Sequence, residues 1–552
     1  MKQARALLAL SFTLTAASAF AAVINATEDG ALGLYRATDF NLSADSLEKC
    51  VDCATISQAR WYFAHDTIAL PKNNVAGFST TLQAQEDIQN WLEIFPNLNA
   101  KPPLVWLGSS KVIPQARLNE SGKTITLKSG ENFAFTITPK IATNLSYWDD
   151  GTRKFFSQRD MRLRGELNDK KFIARTIWPL DYKLSAKTVN PLKSNETLKS
   201  LVQAEHGGAK SEFESRLLWQ KAFGVVQQLT GKTVVGIMLN GAQGDDDESL
   251  GGHFGMVTGK MEADGNMSRW LVSNYYNLGS NSEKGIIAAV TPVDKYLMDL
   301  NNGQSYYRPS YMLIAVLKTD RIPNQIQSAS NRVYNHFYRH DFDYDHSRNN
   351  CTGISIDTLR SLGWNVPERG VTSQLKATAA YFYMAATSYS LTKARAMYDY
   401  LNTETTRLLP AVAFDAIGED IMALALPQQY ERTLNTTLTK RFNQELEAVY
   451  FVRIPQIPSS RVFGAAPAYS FDEYMKTAPA NHDTWKIILT TPRVFPDSLR
   501  NGLALQNNNV SLVPWPVALV SAALLGLIIW LIVFSRRKLF KHGSLPAFTT
   551  FS

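Results

Sequence analysis

A thiol becomes a nucleophile when a base takes its proton, and a neutral imidazole is the usual base. Two residues of this chain have the types and settings for that exchange. His253 lies in the glycine-rich run Gly251-Gly252-His253-Phe254-Gly255-Met256-Val257, and Cys351 follows 98 residues later in Asn349-Asn350-Cys351-Thr352-Gly353-Ile354. The chemistry such a pair performs is acyl transfer through a thioester, with Cys351 as nucleophile and His253 as general base. No metal and no cofactor is needed for it.

The elements around the pair must then place it. Asn349 or Asn350 is positioned to cap a helix over 351–362, with Ile356, Leu359 and Leu362 on its apolar face and Gly363 and Pro367 ending it. Cys351 then sits in the first turn, where the helix N-terminus favours thiolate. Asn350 and Thr352 are the cap and oxyanion candidates, because backbone N–H groups at a helix start can hold a developing oxyanion. His253 opens a strand over 253–260 after a glycine pair. Ala263-Asp264-Gly265-Asn266 reads as a hairpin turn, and Trp270–Tyr276 as the return strand. A two-residue turn at 264–265 pairs 263 with 266 and hence 253 with 276. Asn274 and Tyr276 then share the face of His253. Asn274 is the residue expected to orient the imidazole, with Tyr276 as the alternative.

A strand carrying Gly-His-Phe-Gly, a hairpin, and then Asn-Cys-Thr opening a helix resembles the permuted branch of the NlpC-like papain superfamily. That branch includes lecithin–retinol-acyltransferase-like proteins and the Lnb N-terminal periplasmic domain family. Papain-type enzymes have cysteine before histidine; the reversed order here is what circular permutation of that fold produces. The resemblance covers residues ~205–370. It implies an antiparallel sheet plus a nucleophile helix, with Cys351 as nucleophile, His253 as base and a polar residue on the next strand as orienter. The sequence departs from the pattern at that third position, where no histidine or acid stands.

Both ends of the chain are topology signals. Lys2 and Arg5 precede an apolar run, and Ala19-Phe20-Ala21 fits a small-x-small cleavage site, so 1–21 reads as a secretory signal peptide. Residues 513–534 carry no charge, hold Trp515 and Trp530, and are followed by Arg536, Arg537, Lys538 and Lys541. Length, aromatic placement and flanking charge predict a transmembrane helix with 535–552 as a cytoplasmic tail. Of the formal charge of +8, the leader holds +2 and the tail +4, so the segment between carries +2. That balance excludes a nucleic-acid partner. The expected setting is a bacterial inner membrane, crossed once, with the body in the periplasm.

Three cysteines occur, Cys50, Cys53 and Cys351. In an oxidising compartment Cys50 and Cys53 form a short-loop disulfide; a redox centre or half a zinc site are the other readings of Cys-x-x-Cys. Two acidic clusters compete with the pair for attention. His340-Asp341-Phe342-Asp343-Tyr344-Asp345-His346 reads as a polar loop with Phe342 and Tyr344 turned inward, a metal site, or a pocket wall beside Cys351. Asp245-Asp246-Asp247-Glu248 reads as a solvated loop or a calcium ligand set.

With 552 residues, 45% hydrophobic and 19% charged, the chain has enough apolar material for two to four domains. The fold class expected is α+β. Residues 22–199 form a mixed, β-rich N-terminal region, with a helix over Thr80–Phe95 and alternating strands at 125–127 and 133–137. Residues 200–370 form the permuted papain-like domain, with a helix over Glu212–Leu229 and strands over 234–239, 285–290 and 311–317. Residues 371–512 are helical and then a stalk. The function these features imply is a membrane-anchored acyl-transfer enzyme acting on an envelope substrate: a lipoprotein, a lipid or a wall peptide. The competing reading is a tethered, non-catalytic envelope scaffold.

Overall fold

Aliphatic and β-branched runs bounded by turn residues form the strands of a ten-stranded sheet in the computed structural model. The structure describes residues 23–43, 61–63, 66–72, 102–139, 148–243, 251–276, 287–338, 344–371, 373–426, 436–459, 462–477, 495–499 and 511–541. The leader, Cys50 and Cys53, the 80–95 run, the 245–248 cluster and residues 340–343 lie outside the described residues.

The ten strands are β1 (Phe40–Ser43), β2 (Thr67–Pro71), β3 (Val105–Gly108), β4 (Glu214–Gln220), β5 (Thr233–Asn240), β6 (His253–Lys260), β7 (Leu271–Asn274), β8 (Ala289–Pro292), β9 (Ser310–Leu317) and β10 (Leu446–Ile454). Their order across the sheet is β4-β10-β9-β5-β6-β7-β8-β3-β2-β1. All neighbours are antiparallel except β8 and β3. The central strands β5 and β9 are buried along their whole length, which is why they read as unbroken apolar runs rather than alternating ones.

A second, six-stranded sheet is built from Ile24–Asn25, Lys111–Leu118, Thr124–Leu127, Asn132–Ile137, Asp160–Asn168 and Lys171–Pro179. Its Ile113, Leu163, Phe172 and Trp178 share one core with Val234, Met238, Val257, Met312 and Ile314 of the large sheet. Helices α1 (Arg321–Tyr338) and α5 (Pro410–Ala425) pack on β5 and β6, and α2 (Cys351–Ser361) packs on β6.

Among the described residues the chain divides into two units. One takes in the two sheets, Asn349–Arg369 and Thr405–Gln506. The other takes in His346–Arg348, Gly370–Glu404 and Asn507–Ser552. In the second, α3 (Gln374–Ser388) and α4 (Leu391–Asn402) form an antiparallel hairpin beside the C-terminal helix α6 (Trp515–Lys541). Trp515–Ser535 is long and apolar enough to cross a membrane. The mixed α+β class, the β-rich N-terminal region and, among the described residues, one apolar helix near the C-terminus are thus present.

Three elements differ from the sequence reading. Within 371–512, read as helical and then a stalk, Leu446–Ile454 is β10, an interior strand of the large sheet. The expected helix over 212–229 is the strand β4 followed by a short 3-10 turn at Val225–Gln228. Adjacent Leu217 and Leu218 are both buried because the pairing of β4 with β10 shifts register between Leu217 and Trp219. That irregularity breaks strict alternation and imitates a helical pattern. The expected two-residue turn after β6 is a ten-residue connection, 261–270, in which the Asp264 side chain accepts from Asn266 N–H at 3.0 Å. The register is nevertheless the expected one: Gly255 pairs with Asn274, and Val257 with Val272.

Candidate active site

Helix α2 begins where the sequence places a cap. Asn350 is extended, and its Oδ1 accepts from the N–H groups of Thr352 at 3.0 Å and Gly353 at 2.9 Å. Its Nδ2 donates to the Leu408 carbonyl at 2.9 Å, which fixes the cap to the segment leading into α5. Asn349 takes a different role, exchanging backbone hydrogen bonds with Asp345 at 2.8 and 3.3 Å. Cys351 is therefore the first residue of the helix, at the positive end of its dipole. The helix closes at Gly363, whose φ of +88° suits a glycine, with Trp364 N–H returning to the Leu359 carbonyl.

Strand β6 begins as abruptly. Gly252 has φ +80°, and a Cβ there would stand 2.6 Å from the Asn240 carbonyl oxygen. Only glycine can lead the chain into the strand at that angle. His253 follows as the first strand residue, paired with Asn240. Its Nε2 lies 2.5 Å from Asn274 Oδ1. The Asn274 Nδ2 donates to the Ile287 carbonyl at 3.0 Å, which turns its oxygen toward the ring. The hydrogen bond is then Nε2–H to Oδ1, and the lone pair of the imidazole resides on Nδ1. Tyr334 Oη donates to the Asn274 carbonyl at 2.7 Å and so braces the strand that carries the orienter.

The structure brings the pair together. The Cys351 thiol lies close enough to the His253 side chain and to the Phe254 backbone for both to favour its thiolate. Burial alone would raise its pKa. The charge of His253 and the hydrogen bonds from His253, Phe254 and Thr352 outweigh that and bring the thiol down to about 7. Thr352 Oγ1 is 3.8 Å from the sulfur. Both members are deeply set: Cys351 is 4% exposed and His253 5%. A lone buried cysteine is usually a small hydrophobe, but such a thiol is raised rather than lowered.

Three tyrosines wall the pair. The Tyr276 ring centroid is 6.3 Å from that of His253 and 6.0 Å from that of Tyr344. Tyr276 is thus beside the imidazole, while Asn274 makes the hydrogen bond. The Tyr296 ring centroid is 6.4 Å from that of His253, and its hydroxyl donates to Asn240 Oδ1 at 2.5 Å. Tyr344 Oη accepts from the Cys351 backbone N–H at 3.3 Å. Burial, and then the neighbouring Cys351 charge, hold the Tyr344 phenol well above its ordinary pKa. It remains a neutral hydroxyl at pH 7.

Sequence reading missed Tyr296 and Asn240, and it read Tyr344 only as an inward-turned residue or a pocket wall. Tyr296 lies in Val293–Met298, a short helix with Asp294 and Lys295 beside it that carries no motif. Of the oxyanion candidates, Asn350 serves as the cap and engages the Thr352 amide. The Cys351 amide, facing Tyr344, is the helix-start donor next to the sulfur. Comparison with protein-family models, with curated proteins and with solved structures finds no match to this chain.

Proposed function

We propose that this protein is a membrane-anchored envelope enzyme that transfers acyl groups through a thioester on Cys351, as the permuted NlpC-like papain branch does. The observation that carries the reading is the relay Cys351–His253–Asn274, in which a buried thiol has its pKa brought down to about 7 by the imidazole beside it. His253 Nδ1 takes the thiol proton, and Sγ attacks the carbonyl carbon of an ester or amide. The C–O or C–N bond then breaks, and His253 returns the proton to the departing alkoxide or amine. Water or an amine attacks the thioester carbonyl, its proton passes to Nδ1, and the thiolate leaves.

The developing oxyanion is received by the Cys351 N–H together with the Tyr344 hydroxyl, once Tyr344 turns away from its resting contact with that amide. Asn274 keeps the ring in the tautomer that leaves Nδ1 free, the role an asparagine plays in a Cys-His-Asn arrangement. The helix α6 is the anchor, with Arg536, Arg537, Lys538 and Lys541 on the cytoplasmic side and the body in the periplasm. The substrate is an envelope acyl compound. Lipoprotein or lipid acyl chains suit an enzyme tethered at a bilayer, and wall amides are the alternative.

The test is acyl-enzyme trapping on the full-length protein in membranes, paired with analysis of lipoprotein acylation and wall muropeptides in cells. A thioester adduct on wild type, absent in Cys351→Ala and in His253→Ala, is the expected result. An unreactive thiol in the folded protein, with both cellular pools unchanged in Cys351→Ala, leaves the scaffold reading in its place.

A further inference from the structure

The hairpin of α3 and α4 is apolar on two sides. Inward, Ala377, Tyr381 and Ala394 form a small core with Val517 of α6. Outward, Leu375 is 81% exposed, Tyr383 67% and Tyr389, at the tip, 94%. Exposed Ala379 and Ala386 continue the line at helical spacing, so α3 carries a bare apolar stripe along its free side. A helix facing only water would put charges there. Between Gln374 and Ser388 the sequence has one charged residue, Lys376.

The place of the hairpin says what covers that stripe. Val517 is the third residue of α6, about 3 Å along the helix axis from its start. It is 1% exposed because the hairpin lies over it. Tyr381 Oη donates to the Leu512 carbonyl at 2.9 Å, and Arg395 Nη1 to the Ser511 carbonyl at 2.6 Å. Both bonds fasten the hairpin to the residues just before the apolar span. An element held there lies at the depth of headgroups, the layer that tyrosine and tryptophan favour. Trp515 stands 75% exposed at the same level. Lys376 and Lys393 add positive charge to the hairpin, while the acid Asp399 is taken up by Arg348 and Arg395.

We propose that the α3–α4 hairpin is a second membrane-contacting element, lying in the interfacial layer of the bilayer that α6 enters, with Leu375, Tyr383 and Tyr389 among the lipid headgroups. The proposal rests on α6 being the anchor. The occupant of the stripe is the bilayer itself, not another protein.

The test uses full-length protein in vesicles of phosphatidylethanolamine and phosphatidylglycerol. A photoreactive benzophenone amino acid replaces Leu375, Tyr383 or Tyr389 in turn. Phe223, fully exposed on the other unit, is the reference, and Leu525 within α6 the control. Aromatic replacement at side chains this exposed leaves folding intact, which circular dichroism and an unchanged Cys351 alkylation rate verify. Lipid adducts at 383 and 389 at least ~10-fold above those at 223 are expected. Adducts to a second copy or another protein, or lipid adducts no higher than at 223, overturn the proposal. No lipid adduct at 525 removes the anchor reading itself, whereas lipid at 525 without lipid at 383 removes the hairpin proposal alone.

Discussion

The imidazole and the thiol explain each other only as a pair. Cys351 is buried, which by itself disfavours thiolate; His253 reverses the sign of the shift. Alkylation by iodoacetamide should therefore rise with pH through about 7 and level off above it, because the sulfur loses its proton there. In His253→Ala the burial remains and the opposing charge is gone, so the thiol pKa moves above its ordinary value. The rate at pH 7 should fall by about 50–100-fold, and the inflection should move beyond pH 9. An unchanged profile in that variant would show that the imidazole does not act on the sulfur. Tyr344 is separable from this pair. Alkylation builds no oxyanion, but acylation by an activated ester does. Tyr344→Phe should leave the iodoacetamide rate within about 2-fold and slow the p-nitrophenyl ester burst by about 100-fold or more. Equal effects on the two reactions would assign Tyr344 to packing alone.

At the scale of elements, the parts that position the pair were legible because their signals are local. A glycine pair before His253, an asparagine before Cys351 and Gly363 after the helix each act within a few residues. The register of β6 with β7 followed from the pattern even though the turn between them is longer than expected. The strands β4 and β10 were not legible. β4 is irregular where it pairs with β10, and β10 follows a long helical stretch and pairs with strands more than a hundred residues upstream. Such partners leave no local trace. Asn240 and Tyr296 stayed hidden for the same reason, being joined by tertiary contact alone. The end of α3 makes a further prediction. Tyr389 has φ +50°, a conformation that costs a residue with a Cβ roughly 1–2 kcal/mol. Glycine accepts it. Tyr389→Gly should raise the free energy of local opening of the hairpin, read by amide exchange in α3 and α4, by about 1 kcal/mol. Faster exchange in the variant would mean that the tyrosine side chain stabilises the tip more than its backbone strains it.

The whole molecule joins a small sheet to a large one, and the joint is ionic as well as apolar. Arg162 and Arg164 on the Asp160–Asn168 strand reach Asp294, at 3.3 and 2.9 Å, beside β8. Arg162 also meets Asp29. Next to them Lys295 lies with its Nζ 3.4 Å from the Trp106 ring centroid and 2.9 Å from Asp299, which Arg175 also holds at 2.9 Å. Burial is the main force on Lys295 and lowers its pKa to about 8. These charges occupy the seam between the sheets, where hydrophobic side chains of the same volume would hold equally well. Their consequence is dependence: each carboxylate is answerable for cations that water cannot reach. Asp294 is 1% exposed and is the common partner of two arginines that are 3% and 2% exposed. Removing it leaves Arg164 with a buried, uncompensated charge. Asp294→Ala should cost about 3–5 kcal/mol in chemical denaturation, far more than a surface acid such as Asp150, whose loss should cost under about 0.5 kcal/mol. The loss should appear in the unfolding of the sheets as one transition, since both draw on the same core. A penalty below about 1 kcal/mol would show that the arginines find other partners and that the apolar core alone joins the two sheets.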